Sequence, residues 1–550
     1  MPENGEDNLD QAISEWVEAI GEENVLFDDQ TISRNSRNTL PKGTSPAAIV
    51  RPGSVDDVRL ILQIADRQRI KVYPYSCGKN WGYGDTCAVE SGQVLIDLGR
   101  MNRILEVNTT LAYAVIEPGV TQQQLYEYLQ DNRLPLWLDC TGAGPDASIV
   151  GNVLERGFGH TPYGDHFLTS CGMEVVLADG RVLSTGFGHY RNAKSANVYK
   201  WGIGPYLDGI FTQSNLGVVT KLGIWLLPEP ECFNAFFFTV SEEKEIYSVI
   251  EVLRPLKMQG VLNSLVHVAN DLRVISSFYR YPWEETKGAV PLPDSVRENF
   301  RKRSNFGAWN VSGGIFGTKK QVAYCRKQIK RAVGNVARIQ FLRRVQFVGN
   351  KKLSITKRIA EISNRFGRGD GLVKILRSLE ETFKLMKGVP TNAFLFGTLW
   401  RTKNIHDADS LDPLDNNAGL MWISPILPMT GTAALDLMEI VNPIFCQYGF
   451  EPIVTISLIT ERAMVSVIAI SFDKQNTHET EKASQCYDEL FYALMNAGYN
   501  PYRSGIQSMS KLAYGSNVFW DVVNDIKEAL DPHQIISMGR YQPVQEKRDP

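Results

Sequence analysis

The sequence lacks the signatures of a zinc site, a disulfide framework and a membrane span. Its eight cysteines are scattered from position 77 to position 486 without a Cys-x-x-Cys pair, which argues against structural zinc and predicts free thiols in a reducing compartment. No apolar run approaches the ~20 residues that a membrane helix needs. The N-terminus is acidic and polar, so we expect no secretion signal and a cytoplasmic protein, with a peroxisomal location left open.

Motifs for hydrolytic or metal chemistry are also missing. No Gly-x-Ser-x-Gly elbow is present, so a serine hydrolase has no support. The seven histidines show no ligand spacing, and His160 and His166, the close pair, flank a Thr-Pro-Tyr-Gly turn. We therefore predict structural histidines and no metal site.

Charge gives no general indication of a partner. The net charge is -3, which predicts neither nucleic-acid binding nor attachment to a membrane. Residues 319–377 are an exception, with 17 Lys and Arg against two acidic residues. A solvated basic face is the simpler interpretation of this stretch, and docking to an acidic partner is the alternative.

The chain of 550 residues is long enough for two or three domains. Short apolar runs alternate with amphipathic segments, as in Ala47–Asp66, where a strand and a Pro-Gly turn precede a helix that begins at Ser54. An Asp-Gly turn within 172–183 predicts a hairpin. These patterns indicate a mixed α+β protein, and Pro-Glu-Pro at 228–230 is the best candidate for a domain boundary.

A glycine-rich loop at Ser76–Asp85 carries most of the functional information. Glycines allow a positive φ and a close approach of the backbone, so such a loop can wrap an anionic cofactor, and Tyr83 can project a hydroxyl. Gly142–Ala147 matches the Gly-x-Gly-x-x-Ala fingerprint, but Pro145 and the following loop sequence exclude the strand-to-helix context that a Rossmann site requires.

The C-terminal part offers a Tyr-Arg pair within Asn500–Gly505 and an arginine in Ser537–Tyr541. Tyr502 and Arg503 are adjacent in a turn-like sequence, where both side chains can converge on one ligand. An arginine beside phenols favours a phenolate through its charge and its hydrogen bonds.

Several long motifs together resemble the vanillyl-alcohol oxidase and 4-cresol dehydrogenase branch of FAD-linked oxidoreductases. The motifs are Gly78-Lys-Asn-Trp-Gly-Tyr-Gly, Val150-Gly-Asn, Arg156-Gly-Phe-Gly-His-Thr-Pro-Tyr-Gly-Asp-His, Cys171-Gly-Met-Glu-Val-Val-Leu-Ala-Asp-Gly, Lys200–Lys221 and Pro501-Tyr-Arg. The resemblance runs from about residue 30 to residue 541. It implies a two-domain flavoprotein with a discontinuous FAD-binding domain, formed by residues 1–235 and 496–550, and a central α/β cap domain at 236–495.

The resemblance also implies roles for individual residues. Tyr83, Tyr502 and Arg503 would bind the phenolate, and Arg540 would lie near the pyrimidine edge of the flavin. Asp146 is the candidate for a carboxylate beside the flavin N5, with Asp139 a weaker one. The implied contacts to FAD are Cys77, Gly78, Lys79, Asn80, Gly82, Ser148, Val150, Gly151, Asn152, Gly159, Tyr163, Gly164, Val218, Val219 and Arg540.

One departure from the family concerns the attachment of the flavin. Relatives with covalent FAD use a His or Tyr of the cap, whereas the corresponding stretch here, 418–425, reads Ala-Gly-Leu-Met-Trp-Ile-Ser-Pro. We therefore expect noncovalent FAD, with His160 and His189 as the fallback attachment residues.

The implied reaction is oxidation of a para-substituted phenol at its benzylic carbon, through a para-quinone methide. We expect O2 as the acceptor, giving hydrogen peroxide, with an electron-accepting protein as the alternative, and a homodimer or higher oligomer. A flavin-dependent oxidase of 2-hydroxy acids or sugars is the rival enzyme. A catalytically inactive flavin-binding protein that docks through residues 319–377 is the rival of another class.

Overall fold

The computed structural model describes residues 3–304, 306–343, 379–514 and 518–543. These residues form a mixed helix and sheet protein of more than one domain, which confirms the predicted α+β class. Of the basic stretch at 319–377, residues 344–377 lie outside the described residues, and the part before them contains a helix and a strand. None of the described helices is both long enough and apolar enough to cross a membrane.

The α-helices of the described residues are Glu3–Ile20, Asp29–Asn35, Val55–Gln68, Gln122–Asp131, Ile149–Leu154, Ile246–Met258, Asp271–Ser276, Trp283–Thr286, Asp294–Ser304, Lys319–Val333, Gly431–Tyr448, Thr477–Asn496 and Val518–Leu530, and residues 379–385 are also helical. Ser54 begins the third of them as predicted, because its side chain accepts a hydrogen bond from the backbone N–H of Asp57.

Two sheets lie in the N-terminal part of the chain. The first has the order β1-β2-β4-β3 and is formed by Val25–Leu26 (β1), Ile49–Val50 (β2), Val72–Tyr75 (β3) and Val94–Asp97 (β4), with β2, β4 and β3 parallel. The second is antiparallel with the order β5-β6-β10-β8-β9 and is formed by Ile104–Asn108 (β5), Tyr113–Ile116 (β6), Ser170–Val176 (β8), Val182–Ser184 (β9) and Val218–Trp225 (β10). The hairpin of β8 and β9 confirms the predicted Asp-Gly turn.

The connection to the central part crosses a short pair of strands. Leu136–Trp137 (β7) pairs with Leu227–Pro228 (β11), and the next strand, Cys232–Val240 (β12), already belongs to a different sheet. The chain therefore changes sheets at the Pro-Glu-Pro sequence. The domain boundaries at 235 and 495 stay predictions.

Within the described residues, the central sheet has eight antiparallel strands. Its order is β15-β12-β14-β13-β18-β19-β16, with β17 beside β19, and its further strands are Val266–Asn270 (β13), Trp309–Gly317 (β14), Gln340–Arg343 (β15), Gly419–Ile423 (β16), Ile426–Pro428 (β17), Ile453–Leu458 (β18) and Ala463–Phe472 (β19).

Along these strands, residues of the hydrophobic core alternate with residues that line a cavity. On β13, Val266 and Val268 belong to the large hydrophobic core, whereas His267 and Ala269 line a cavity. The same alternation occurs on β18 and β16. Because successive side chains of a strand point to opposite faces, one face of the sheet packs on helices and the other faces the cavity.

The C-terminal segment returns to the N-terminal sheets. The N–H of Val72 donates to the carbonyl of Ile535, and the N–H of Ser537 donates to the carbonyl of Val72. The N–H of Ile506 donates to the carbonyl of Tyr83, 2.9 Å away. These bonds place residues from the end of the chain beside the glycine-rich loop.

Candidate active site

A cavity of about 830 Å³ is lined by residues of the N-terminal sheets, the central sheet and the C-terminal segment. A cavity of this size accommodates a small molecule with a large part of a cofactor. Within its lining, cationic side chains outnumber carboxylates: Lys79, Arg273, Arg338, Arg503 and Arg540 against Asp85 and Glu155. The cavity is therefore suited to anionic ligands.

The glycine-rich loop forms one wall. Cys77, Gly78, Lys79 and Asn80 line the cavity. Gly78 has a φ of 68°, and a Cβ built on it would lie 2.6 Å from Cγ2 of Thr86, so neither the conformation nor the space admits a side chain. The loop thus presents backbone to the cavity at this point.

Residues 148–152 form the neighbouring wall. Ser148, Val150, Gly151 and Asn152 line the cavity. The hydroxyl of Ser148 accepts a hydrogen bond from the N–H of Gly151 at 2.9 Å. A Cβ on Gly151 would lie 2.5 Å from Oγ of Ser76, so this glycine allows the two walls to approach each other.

The other predicted cofactor contacts that line the cavity are Gly159, Val218, Val219 and Arg540. Gly82, Tyr163 and Gly164 are not among its lining residues in the described chain. A Cβ on Gly82 would lie 2.2 Å from Cδ1 of Trp422, which does line the cavity, so this glycine admits the indole of Trp422. Gly164 likewise has no room for a Cβ, because the side chain of Leu265 packs against it. Tyr163 lines a second pocket of about 30 Å³.

The structure does not bring Asp146 to the cavity. Its side chain is exposed, and it is not among the lining residues. Asp139, the weaker candidate, is buried and lines the second pocket, where it accepts hydrogen bonds from His166 Nε2 at 3.0 Å and from the N–H of Thr161 at 2.6 Å. Burial alone would raise the pKa of Asp139, but these partners hold it below its usual value.

Tyr83, Tyr502 and Arg503 lie together although they come from distant parts of the sequence. The hydroxyls of Tyr83 and Ser424 are 2.8 Å apart, and the N–H of Tyr502 donates to the carbonyl of Ser424 at 3.0 Å. The guanidinium carbon of Arg503 is 4.1 Å from the centroid of the Tyr83 ring. Tyr83 and Arg503 line the cavity, whereas Tyr502 is not among its lining residues in the described chain. The Tyr502 ring lies beside that of Phe158, a lining residue, with ring centroids 5.8 Å apart.

Both phenols stay protonated at neutral pH. Burial raises the pKa of Tyr83 and that of Tyr502, although the charge of Arg503 opposes the shift in each case. Their hydroxyls are therefore available as hydrogen-bond donors.

Glu155 joins the two predicted arginines and was not predicted from the sequence. Its carboxylate binds Arg540, accepts a hydrogen bond from Tyr541 at 2.9 Å and lies 3.6 Å from Nε of Arg503. Burial alone would raise the pKa of Glu155, but the charges of Arg540 and Arg503 hold it below its usual value. One carboxylate thus faces two guanidiniums, which leaves this buried group with one positive charge in excess.

Two histidines also line the cavity. The rings of His160 and His267 are 4.4 Å apart, and His267 binds Ser457 and the carbonyl of Gly159. Burial lowers the pKa of His160 to about 4 and that of His267 well below its usual value, so both are neutral. Within the described residues, Nδ1 of His160 has no hydrogen-bond partner.

Comparisons with known proteins identify the family. Residues 46–186 match the family model described as FAD binding domain. The protein of Chondromyces crocatus called 1'-carboxy-chondrochloren decarboxylase is 35% identical over 97% of this chain and 97% of its own length. The 4-cresol dehydrogenase [hydroxylating] flavoprotein subunit of Pseudomonas putida is 31% identical over 97% of this chain and 95% of its own. This chain belongs to the vanillyl-alcohol oxidase and 4-cresol dehydrogenase family of FAD-linked oxidases.

A solved structure supports the same assignment. The 4-ethylphenol oxidase of Gulosibacter chungangensis, in its isoeugenol complex, superposes with a TM-score of 0.87 and 29% identity and covers 98% of each chain. The protein is therefore an FAD-dependent oxidoreductase, as the sequence motifs indicated, and FAD is its cofactor.

The lining of the cavity fits FAD. Gly78 and Gly151 place backbone without side chains in the cavity wall, where N–H groups can contact a diphosphate. The excess of cationic side chains in the described lining suits the charge of that group. Two buried nitrogen atoms of the lining, Nε1 of Trp81 and Nδ1 of His160, have no hydrogen-bond partner among the described residues. A bound cofactor can supply that partner. The polar side chains of these two walls that could hold the cofactor are Lys79, Asn80, Ser148 and Asn152. The ammonium of Lys79 also pairs with Asp412 at 2.5 Å.

Noncovalent attachment of FAD is a prediction that a simple measurement checks. Leu420 and Trp422 are the residues of β16 that line the cavity, and neither can bond to a flavin as a His or Tyr does. Acid precipitation is expected to release the yellow chromophore into the supernatant. Flavin fluorescence on the denatured gel band would contradict this, and His160→Ala would then test His160, which lines the cavity, whereas His189 is exposed.

Proposed function

We propose that this protein oxidises para-substituted phenols at the benzylic carbon, with Tyr83, Tyr502 and Arg503 binding the phenolic oxygen as its anion. The single observation that carries the proposal is the unbalanced charge at this end of the cavity. Arg503 and Arg540 share Glu155, so a phenolate would neutralise the remaining positive charge. A 2-hydroxy acid could also supply an anion, but its binding does not require two protonated tyrosines beside the arginine.

The energy required is of the right size for these residues. A phenol has a pKa of about 10, so ionisation near pH 7 requires about 4 kcal/mol of preferential stabilisation of the anion. One guanidinium and two hydroxyl donors in a site shielded from water can supply that amount. Ser424 orients the Tyr83 hydroxyl, and Asn80 accepts a hydrogen bond from the Arg503 guanidinium.

When bound, FAD supplies the acceptor of the hydride that leaves the benzylic carbon. The residues around Arg503 hold the ring as a phenolate, whose electrons replace those of the departing hydride, so the substrate becomes a para-quinone methide. Water then adds to it, or it loses a proton to form an alkene.

Arg540 is proposed to hold the pyrimidine edge of the flavin. It is buried between Tyr73 and Glu155, which fixes its guanidinium at the cavity wall. Asp146 has no role in this mechanism because its side chain is exposed.

We propose O2 as the final acceptor, with hydrogen peroxide as the product. A solved structure with a TM-score of 0.87 is that of an oxidase, which supports this choice. The relative from Pseudomonas putida is called a dehydrogenase, so an electron-accepting protein is the alternative.

A 4-alkylphenol added without air is expected to bleach the flavin, and admission of air is expected to restore the colour within seconds and form peroxide. A reduced flavin that persists in air would assign the dehydrogenase role.

A second candidate is oxidative decarboxylation of a phenol whose side chain carries a carboxylate. The 35% identity to a protein called a decarboxylase favours it. The carboxylate would leave the quinone methide as CO2, and its bonding pair would form an alkene while the ring returns to a phenolate. Release of CO2 in step with flavin reduction would establish this outcome.

The same anaerobic experiment tests the proposal as a whole. Flavin that is bleached by a 2-hydroxy acid and not by any 4-alkylphenol would overturn it. Flavin that no reductant of either class bleaches would favour an inactive flavin-binding protein.

A further inference from the structure

Arg273 is a cation of the cavity wall that the proposed mechanism does not use. It lies in the helix Asp271–Ser276, directly after β13, and it lines the cavity with Val274 and Ser277. The side chain of Asn270 accepts a hydrogen bond from the N–H of Arg273 at 2.9 Å and begins this helix. Asn270 also donates to the carbonyl of Pro452, so the backbone that carries Arg273 is held on two sides.

The Arg273 guanidinium has no hydrogen bond or ion pair to a described residue. Its nearest acidic neighbour in sequence, Asp271, is fully buried and bound by Arg297 through two contacts of 2.7 Å. Burial, with no compensating carboxylate, lowers the pKa of Arg273 to about 10. The group is therefore still charged at neutral pH, and a half-buried charge without a partner among the described residues is costly.

Gly397 leaves room for the side chain of Arg273. A Cβ built on Gly397 would lie 2.9 Å from Nη1 of Arg273, so a larger residue at 397 would crowd the guanidinium. A further polar group, the hydroxyl of Ser304, lines the same cavity without a partner among the described residues. The helix that ends at Ser304 contacts Asp271 through Arg297 and Arg301, next to the helix that carries Arg273.

We propose that Arg273 binds a carboxylate on the side chain of the phenolic substrate. This inference rests on the proposed function and narrows its substrate class to carboxylated para-alkylphenols. The phenolate and the carboxylate would each bind a separate arginine of the cavity lining, Arg503 in the C-terminal segment and Arg273 in the helix that follows β13. A carboxylate matches the planar fork of a guanidinium and accepts two hydrogen bonds from it.

The cofactor is the less suitable partner for Arg273. The residues that fit the FAD diphosphate belong to the glycine-rich loop and to 148–152, whereas Arg273 follows a strand of the central sheet. If Arg273 nevertheless binds the cofactor, its removal will weaken FAD retention, and this is measured below as an outcome that overturns the proposal.

The test compares a series of 4-hydroxyphenylalkanoates of increasing chain length with the matching primary amides. Apparent Kd values come from the concentration dependence of anaerobic flavin reduction. A charge-assisted hydrogen bond is stronger than one to a neutral amide, so the wild type is expected to prefer the best carboxylate to its amide about 30-fold. Arg273→Met should abolish this preference, and Arg273→Lys should retain part of it.

Arg280→Met is the matched control. Arg280 lies on the same segment and contacts the ring of Phe396, but it does not line the cavity among the described residues. Arg280→Met should leave the preference unchanged.

The stability of the protein without substrate gives a second measurement. Arg273→Met should keep the Tm or raise it, because it removes a charge that no described carboxylate offsets. A merely structural role for Arg273 would lower the Tm.

The outcomes separate this inference from the function on which it rests. If 4-alkylphenols bleach the flavin but the wild type shows no preference for carboxylates, the inference fails and the proposed function stands. If Arg273→Met loses FAD, the arginine serves the cofactor and the inference fails. If no phenol of either kind bleaches the flavin, the proposed function fails and the inference fails with it.

Discussion

Replacing Arg503 by methionine is expected to slow reduction of the flavin by a 4-alkylphenol about a thousandfold, with less than a tenfold change in apparent Kd. The charge of Arg503 acts mainly on the ionised ring, which carries more charge than the neutral phenol that first binds. Arg503 lines the cavity with 11% of its side chain exposed, and its carboxylate contact among the described residues is Glu155, 3.6 Å away. Because Glu155 also holds Arg540, we expect that arginine not to replace Arg503 at the phenolic oxygen.

The pH dependence of this variant follows from the same argument. In the proposed mechanism Arg503 lowers the pKa of the bound phenol, so the wild type should reach its full reduction rate near neutral pH. Without the arginine, the pKa of the bound phenol returns toward about 10. The rate of the variant should therefore rise about tenfold for each pH unit up to that value.

Stopped-flow absorbance without air measures both effects. Arg503→Lys should recover part of the rate, because a point charge is restored without the planar fork. Arg156→Met is the control, since Arg156 follows Glu155 in sequence but binds Thr212 and does not line the cavity in the described chain. A reduction rate of Arg503→Met equal to that of the wild type would reject the assigned role.

The local features of the fold were predictable because they depend on neighbouring residues. Ser54 begins a helix because its hydroxyl reaches the N–H three residues later, and the Asp-Gly turn closes a hairpin. The proximity of Tyr83 and Arg503 was not accessible to such reasoning. It depends on hydrogen bonds between the loop and the returning C-terminal segment, so only the resemblance of long motifs to a known family indicated it.

The residues that the sequence missed carry no local signal. Glu155 is one of many acidic residues, and its importance arises from two arginines that the fold places beside it. His160 and His267 were predicted to be structural, yet both line the cavity, and their neutrality results from burial. Asp146 shows the converse, because a suitable residue type near the right motif is exposed in the structure.

Tyr83 and Tyr502 are expected to act as a unit on one phenolic oxygen. The backbone of Tyr502 and the hydroxyl of Tyr83 are both held by Ser424, and burial keeps both phenols protonated. Each hydroxyl would donate to the same negative charge. We expect each Phe substitution to slow flavin reduction by about 50-fold and to raise the pKa of the bound phenol.

The double variant distinguishes shared from independent action. Tyr83→Phe with Tyr502→Phe should slow reduction by several hundredfold, less than the product of the single effects, because both hydroxyls serve one charge. Tyr126→Phe, in the helix Gln122–Asp131 of the N-terminal part, controls for the loss of a phenol elsewhere in the protein.

A methyl ether of the substrate completes the experiment, since it cannot ionise. It should leave the flavin oxidised in the wild type and in every variant. Multiplicative effects of the two tyrosine substitutions, together with turnover of the ether, would show that no phenolate forms. The cluster around Arg503 would then bind a non-phenolic alcohol, and its excess positive charge would need another anion as its partner.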